Sequence, residues 1–174
     1  MNPTRAASLR TLLVLVALSP ALAPARTADR SQPMSLDADN SDCNLADAGG
    51  KCVFTGNVVI TQGTLDIRAE RAEVLRRDGE IDQVVLTGRQ ATMQQQMDDG
   101  TMMKARADRI VYETRKEILT LTGDFKLESP RGTNSGQRMV YNTTTGNMQS
   151  GGDGSRVRTV IQPKSAAPAP QGKN

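Results

Sequence analysis

The chain has 174 residues with no histidine and no tryptophan, only two tyrosines and two phenylalanines, and just two cysteines. Its 22 basic and 19 acidic residues leave a formal charge of +3 with both signs interspersed, so no basic tract neutralises a phosphate backbone and few rings are present to stack bases. That argues against nucleic-acid binding, and the missing histidine removes Ser-His and Cys-His nucleophile pairs and the commonest metal ligand.

Residues 1–25 read as a signal peptide. Arg5 and Arg10 form the positive region, Leu12 to Leu18 the apolar stretch, and Ala23-Pro24-Ala25 a small-x-small cleavage site. The apolar run is too short for a comfortable membrane span of about 20 residues. Discarding Arg5 and Arg10 lowers the formal charge from +3 to +1. Residues 26–33 are expected to form a flexible leader. Met34-Ser35-Leu36-Asp37-Ala38 then alternates apolar with polar, the period of a half-buried strand. Cys43 and Cys52 flank an Asp/Gly-rich turn that includes Gly49-Gly50. In an oxidising compartment they are expected to pair across a hairpin, the alternative being two unpaired thiols.

From there one cassette is written three times. It runs Thr55-Gly56, Gly63-Thr64, Ala69-Glu70-Arg71 and Val74, then Thr87-Gly88, Gly100-Thr101, Ala107-Asp108-Arg109 and Tyr112, then Thr122-Gly123, Gly132-Thr133, Gly136-Gln137-Arg138 and Tyr141. Repeats of about 30 residues imply stacked units that cannot bury their apolar face alone. Short strands are predicted over 52–62, 64–70, 72–76, 81–87, 90–97, 102–107, 109–114, 117–122, 124–129, 135–142 and 146–150. Turn signals stand at Asp78-Gly79, Asp98-Asp99-Gly100, Ser129 to Gly132 and Thr145-Gly146-Asn147. Propensity alone also allows a helix over 66–77, but the parallel with the strand-like 109–112 and 138–141 favours strand. Met34–Asp39 looks like the second half of a fourth copy, and Arg156–Ile161 like the first half of a fifth. The tail 164–174 has nothing to bury and is expected to be disordered.

The fold class is therefore all-β, antiparallel, with one domain over 34–163. Such half repeats leave unpaired edges, ordinarily a liability. No Walker-type loop occurs, and Asp66, Glu70, Glu73, Asp108 and Glu113 sit where strands and turns are solvated, so an enzyme is not expected. A polysaccharide hydrolase would need two acids converging in a cleft. Neither a metal nor a cofactor is implied. Gly56, Gly88 and Gly123 are read as turns or close backbone approaches. Arg71, Arg109 and Arg138 are read as capping a strand edge or pairing with neighbouring acids, the alternative being contact with a ligand phosphate. The alternates Val58 and Ile60, Leu65 and Ile67, Met93, and Phe125 and Leu127 should share one face. That face is a dry core in an exported structural or adhesive repeat. Given eight methionines and few aromatics, it also suits a deformable lining for flexible apolar ligands.

The segment Phe54 to Glu70, with its Phe-Thr-Gly-Asn-Val-x-x-Thr-Gln-Gly string, closely resembles the signature of the OstA-like family of periplasmic lipopolysaccharide transport proteins. Supporting pieces are Leu119 to Gly123 and the terminal Gly154 to Pro163, and the resemblance extends from about Pro33 to Pro163. It implies a twisted, open-ended β-jellyroll that carries the acyl chains of lipopolysaccharide from the inner to the outer membrane. It assigns interior positions to Met34, Leu36, Met93 and Tyr112. It also implies an inner-membrane-anchored partner at the N-terminal edge (Met34, Leu36), and the N-terminal domain of an outer-membrane translocon at the C-terminal edge (Val157, Thr159, Ile161). Head-to-tail self-association and periplasmic localisation follow in the same way. The stretch Cys43 to Cys52 matches no motif of the family.

Overall fold

In the computed structural model the described residues are 29, 31–44, 49–152 and 154–163; the expected signal peptide and tail lie outside them. One antiparallel sheet of ten strands is formed by β1 (Met34–Asp37), β2 (Asn40–Cys43), β3 (Lys51–Gln62), β4 (Leu65–Arg77), β5 (Glu80–Gln96), β6 (Met102–Glu113), β7 (Ile118–Ser129), β8 (Gly132–Asn142), β9 (Met148–Ser150) and β10 (Arg158–Ile161). Each long strand pairs with its sequence neighbours, so the chain climbs the sheet as a meander. β1 and β2 both pair with β3, and β9 and β10 both pair with β8, so each edge is a strand broken in two.

The predicted short strands merge. Segments 64–70 and 72–76 are one strand, β4, as are 81–87 with 90–97 in β5, 102–107 with 109–114 in β6, and 117–122 with 124–129 in β7. The helical alternative over 66–77 is not adopted, and β2 was not anticipated from its polar sequence Asn-Ser-Asp-Cys. What interrupts each long strand is a bulge in mid-course. The register shifts between Thr55 and Val58, Arg68 and Arg71, Thr87 and Ala91, Arg106 and Arg109, and Thr122 and Phe125. Bulges bend a strand and re-aim the side chains beyond them.

The cassette acquires a physical meaning from these bulges. Gly56 and Gly123 are not turns between strands but left-handed bulge residues, at φ 77° and 79°. The Thr and Arg landmarks of each cassette stand directly opposite one another: Thr55 with Arg71, Thr87 with Arg109, and Thr122 with Arg138. Between those residues runs one hairpin, and beyond them lies the other half of the sheet. The strand halves on the two sides of the bulges contribute to one buried cluster, which includes Val58, Ile67, Ala91 and Phe125 from one side and Ala72, Leu86, Ile110, Leu121 and Met139 from the other. The sheet is thus folded along its line of bulges, with its apolar face inside.

Candidate functional site

Alternation across the ladder builds the interior in continuous rows. One row passes Leu36, Ile60, Ile67, Met93, Ala105, Leu127, Asn134 and Thr159, each opposite the next. On the other half, a second row passes Cys43, Cys52, Val74, Val84, Tyr112, Leu119, Tyr141 and Met148. Near the bend the packing is complete: Val58, Ile110, Leu121, Phe125 and Met139 are fully buried. Away from it the packing loosens. Leu36, Leu65, Met93, Tyr112 and Leu127 are only partly buried against the same cluster.

Every candidate interior position therefore lies on this face or at its end. Ile60 and Ile67 are buried, whereas Met34 at the first edge is 50% exposed. Sequence reading passed over Leu86, Ile110, Leu121 and Met139, which form the packed middle of the other half. Leu119-Thr120-Leu121-Thr122 carries the alternation that identifies Leu121. Ile110-Val111-Tyr112 is a run of apolar residues, so no phase is visible there.

The polar side chains inside are few and held. The Tyr112 hydroxyl donates to Glu117 Oε2 at 2.6 Å, and the Thr143 hydroxyl donates to the same oxygen at 2.7 Å. This fixes the ring at the β6–β7 turn. Asn134 is buried in the first row; its amide nitrogen donates to Thr159 Oγ1 at 2.8 Å and its carbonyl accepts from Ser150 Oγ at 2.9 Å.

The two edges differ in build. Cys43 and Cys52 face one another in register, with Cα atoms 4.1 Å apart, and are joined as a disulfide that ties β2 to β3. At the other edge Thr159 and Ile161 lie on the exposed strand β10, but Val157 precedes the strand and packs beside Gly151.

The outer face is charged and largely self-paired. Lys51 and Arg71 hold the Glu73 carboxyl below its ordinary value, the Lys51 hydrogen bond at 2.6 Å contributing most. Arg89 reaches Glu70 at 3.3 Å, Arg68 reaches Asp66 at 3.2 Å, and Lys116 reaches Glu113 at 2.7 Å. These acids serve separate ion pairs, and no cluster suited to a metal ion occurs among the described residues.

Residues 35–147 match the family described as LptA/(LptD N-terminal domain) LPS transport protein. The chain is 34% identical over 153 residues to lipopolysaccharide export system protein LptA of Escherichia coli K12, across 86% of its own length and 80% of the relative's. It is 30% identical over 161 residues to lipopolysaccharide export system protein LptH of Pseudomonas aeruginosa PAO1, across 87% and 91%. The crystal structure of LptH, the LptA-homologous periplasmic component of that organism's lipopolysaccharide transport device, aligns with a TM-score of 0.68 at 26% identity. That alignment covers 78% of this chain and 99% of LptH. With its folded antiparallel sheet and its interior rows running edge to edge, the chain belongs to the LptA/LptD N-terminal domain family of non-enzymatic lipopolysaccharide transport proteins.

Proposed function

We propose that this protein works in the periplasm, after removal of residues 1–25, as a bridge that holds lipopolysaccharide by its acyl chains and conveys it from the inner to the outer membrane. The observation that carries this reading is the apolar interior whose rows reach both free edges of the sheet. Acyl burial contributes about 0.8 kcal/mol per CH₂, so a multi-acylated lipid released into water loses tens of kcal/mol. A continuous apolar track between successive proteins avoids that intermediate. The partly buried Leu36, Leu65, Met93 and Leu127 on one half, with Tyr112 on the other, are the part of the interior that yields most readily to a lipid chain.

Continuity requires joining at the edges. In this reading the β1–β2 edge (Met34, Leu36) receives an inner-membrane-anchored partner and the β10 edge (Thr159, Ile161, with Val157 beside it) meets the N-terminal domain of an outer-membrane translocon. The same two edges support head-to-tail copies. Free strand edges bind extended segments by main-chain hydrogen bonding. No Walker-type loop occurs in the sequence, and in this reading cargo advances by displacement from behind.

Native mass spectrometry of protein taken from the periplasm tests this. Bound glycolipid and concentration-dependent linear oligomers are expected. Protein free of lipid that also fails to take up added lipopolysaccharide would leave the dry-core structural repeat as the better account.

A further inference from the structure

The two edges of the sheet carry opposite charge. Residues 34–43, which hold β1 and β2, include Asp37, Asp39 and Asp42 and no basic residue. Residues 156–161, which end in β10, include Arg156 and Arg158 and no acid. Asp39 is engaged within the molecule, accepting from the Asn57 side-chain amide at 2.9 Å. Asp37 and Arg158 are both exposed, and neither forms an ion pair among the described residues. The hydrogen-bond partner of the Asp37 carboxylate is the Ser35 hydroxyl, at 3.5 Å.

Strand direction fixes how two such edges can meet. β1 starts at Met34, opposite Gln62 beside the β3–β4 turn, and runs toward the bend. β10 starts near the bend and ends at Ile161, opposite Gly132 beside the β7–β8 turn. A second copy whose turns and bend continue those of the first therefore lays its β1 antiparallel to β10. Carrying the inward row on from Thr159 to Leu36 of the second copy sets Arg158 opposite Asp37, Val160 opposite Ser35 and Ile161 opposite Met34. Opposed residues in an antiparallel ladder alternate between exchanging hydrogen bonds and exchanging none. The row has seven joints, an odd number, so Leu36 and Thr159 end it in the same phase, as a direct pair requires. In this register Ile161, 79% exposed, covers Met34, itself half exposed, and the charged pair falls on the outer face.

Resting on the head-to-tail reading, we propose that charge selects the joint between copies: Arg158 of one copy pairs with Asp37 of the next near the bend, while Ile161 packs on Met34 at the outer margin. Opposite charges directly across two strands stabilise their pairing, and like charges oppose it. Two first edges aligned turn to turn would run parallel and set Asp37 beside Asp37, and two last edges would set Arg158 beside Arg158. The charges thus disfavour head-to-head and tail-to-tail joints and give the stack one direction. The other half of the sheet joins in the same sense, because its inward row ends on Met148 of β9 and begins on Cys43 of β2.

Charge exchange, read by sedimentation velocity over a range of concentrations, tests this. Asp37→Arg and Arg158→Asp are each expected to weaken self-association at least fivefold, and the double variant to recover to within about twofold of wild type. Added salt should weaken the wild type and strengthen the single variants. Single variants that associate as wild type does, or a double variant no better than the singles, overturn the charge pairing. The register is read by oxidising a mixture of Leu36→Cys protein with Thr159→Cys protein, which should give a mixed dimer. Leu36→Cys with Ile161→Cys should give at most about a tenth of that yield, since a slip of two residues puts the thiols out of disulfide reach. Equal yields overturn the register. A wild type that stays monomeric overturns the joint, and uptake of added lipopolysaccharide by that monomer leaves the carrier reading standing. A wild type that associates as described but takes up no lipopolysaccharide strikes the carrier reading alone.

Discussion

Leu36 on β1 and Thr159 on β10 are the two ends of a single inward row that crosses every long strand of the sheet. Seven strand steps separate them, about 33 Å at the usual interstrand spacing. Six consecutive members, Leu36 to Leu127, are apolar, and the change to Asn134 and Thr159 falls at the last two strands. The apolar part of this row thus starts at the first edge strand and gives way to polar side chains only at the last two strands.

The row makes lipid contact a question of parity. Met93 is inward while Thr92 and Gln94, its neighbours on β5, stand opposite the outward Arg68 and Asp66. A photoreactive residue at 93, or at Leu36, is expected to crosslink to lipopolysaccharide, whereas one at 92 or 94 gives at most a few per cent of that yield. Equal yields at 92, 93 and 94 would mean that the lipid does not occupy the interior. Met93→Asp should weaken lipid binding at least tenfold yet leave a cooperative unfolding transition, since Met93 is only partly buried.

The Cys43–Cys52 bond acts at the first edge, where β2 has only four residue pairs with β3. Cross-linking residues nine apart removes unfolded-state entropy equivalent to roughly 2–3 kcal/mol. The double variant Cys43→Ser, Cys52→Ser should lose about that much in urea unfolding, and its exchange protection should fall first at 40–43. A loss confined to global stability, with β2 protected as before, would show that the bond does not hold the edge.

The sheet was legible in the sequence because strand alternation and the Thr-Gly and Arg landmarks survive without context. The opposition of Thr122 and Arg138 is the clearest instance: their spacing marks one hairpin, closed by direct pairing. The bulges were not legible as such. A left-handed Gly123 within a strand leaves the same sequence trace as a glycine in a turn, and only the ladder continuing at Phe125 separates the two. For the same reason the second half of the interior, around Ile110 and Leu86, went unread: its phase is set by the bulge and not by local pattern. Asn134 gave no signal either, since an isolated polar residue in Thr-Asn-Ser resembles a solvated edge until Ser150 and Thr159 are brought to it.

The bulge glycines carry a stability prediction. At Gly123 φ is 79° and a Cβ would lie 2.8 Å from that of Asp108, whereas at Gly79, in the β4–β5 turn with φ 83°, it would meet nothing. Gly79→Ala should cost only the left-handed penalty, roughly 1–2 kcal/mol. Gly123→Ala adds overpacking of about 1–3 kcal/mol. Equal losses in chemical denaturation would mean that the bulge relaxes around the added methyl and that the close approach to Asp108 does not define the bend.

Glu73 sets an acid limit on the outer face. Hydrogen bonds from Lys51 and Arg71 keep its carboxyl below the ordinary value, and the pair Lys51–Glu73 fastens β3 to β4 beside the disulfide row. A carboxylate whose folded pKa is depressed contributes in full above its unfolded pKa of about 4.3 and progressively less as pH falls through the folded value. Partly solvated pairs of this kind are worth about 0.2–1 kcal/mol each. Glu73→Gln should therefore be less stable than wild type at pH 7 by up to about 2 kcal/mol for the two pairs. The gap should narrow below about pH 4.3, and also in high salt, where partly exposed charges are screened. Urea unfolding of both proteins at several pH values is the measurement, and a gap that widens on acidification would show that some other property of Glu73 stabilises the fold.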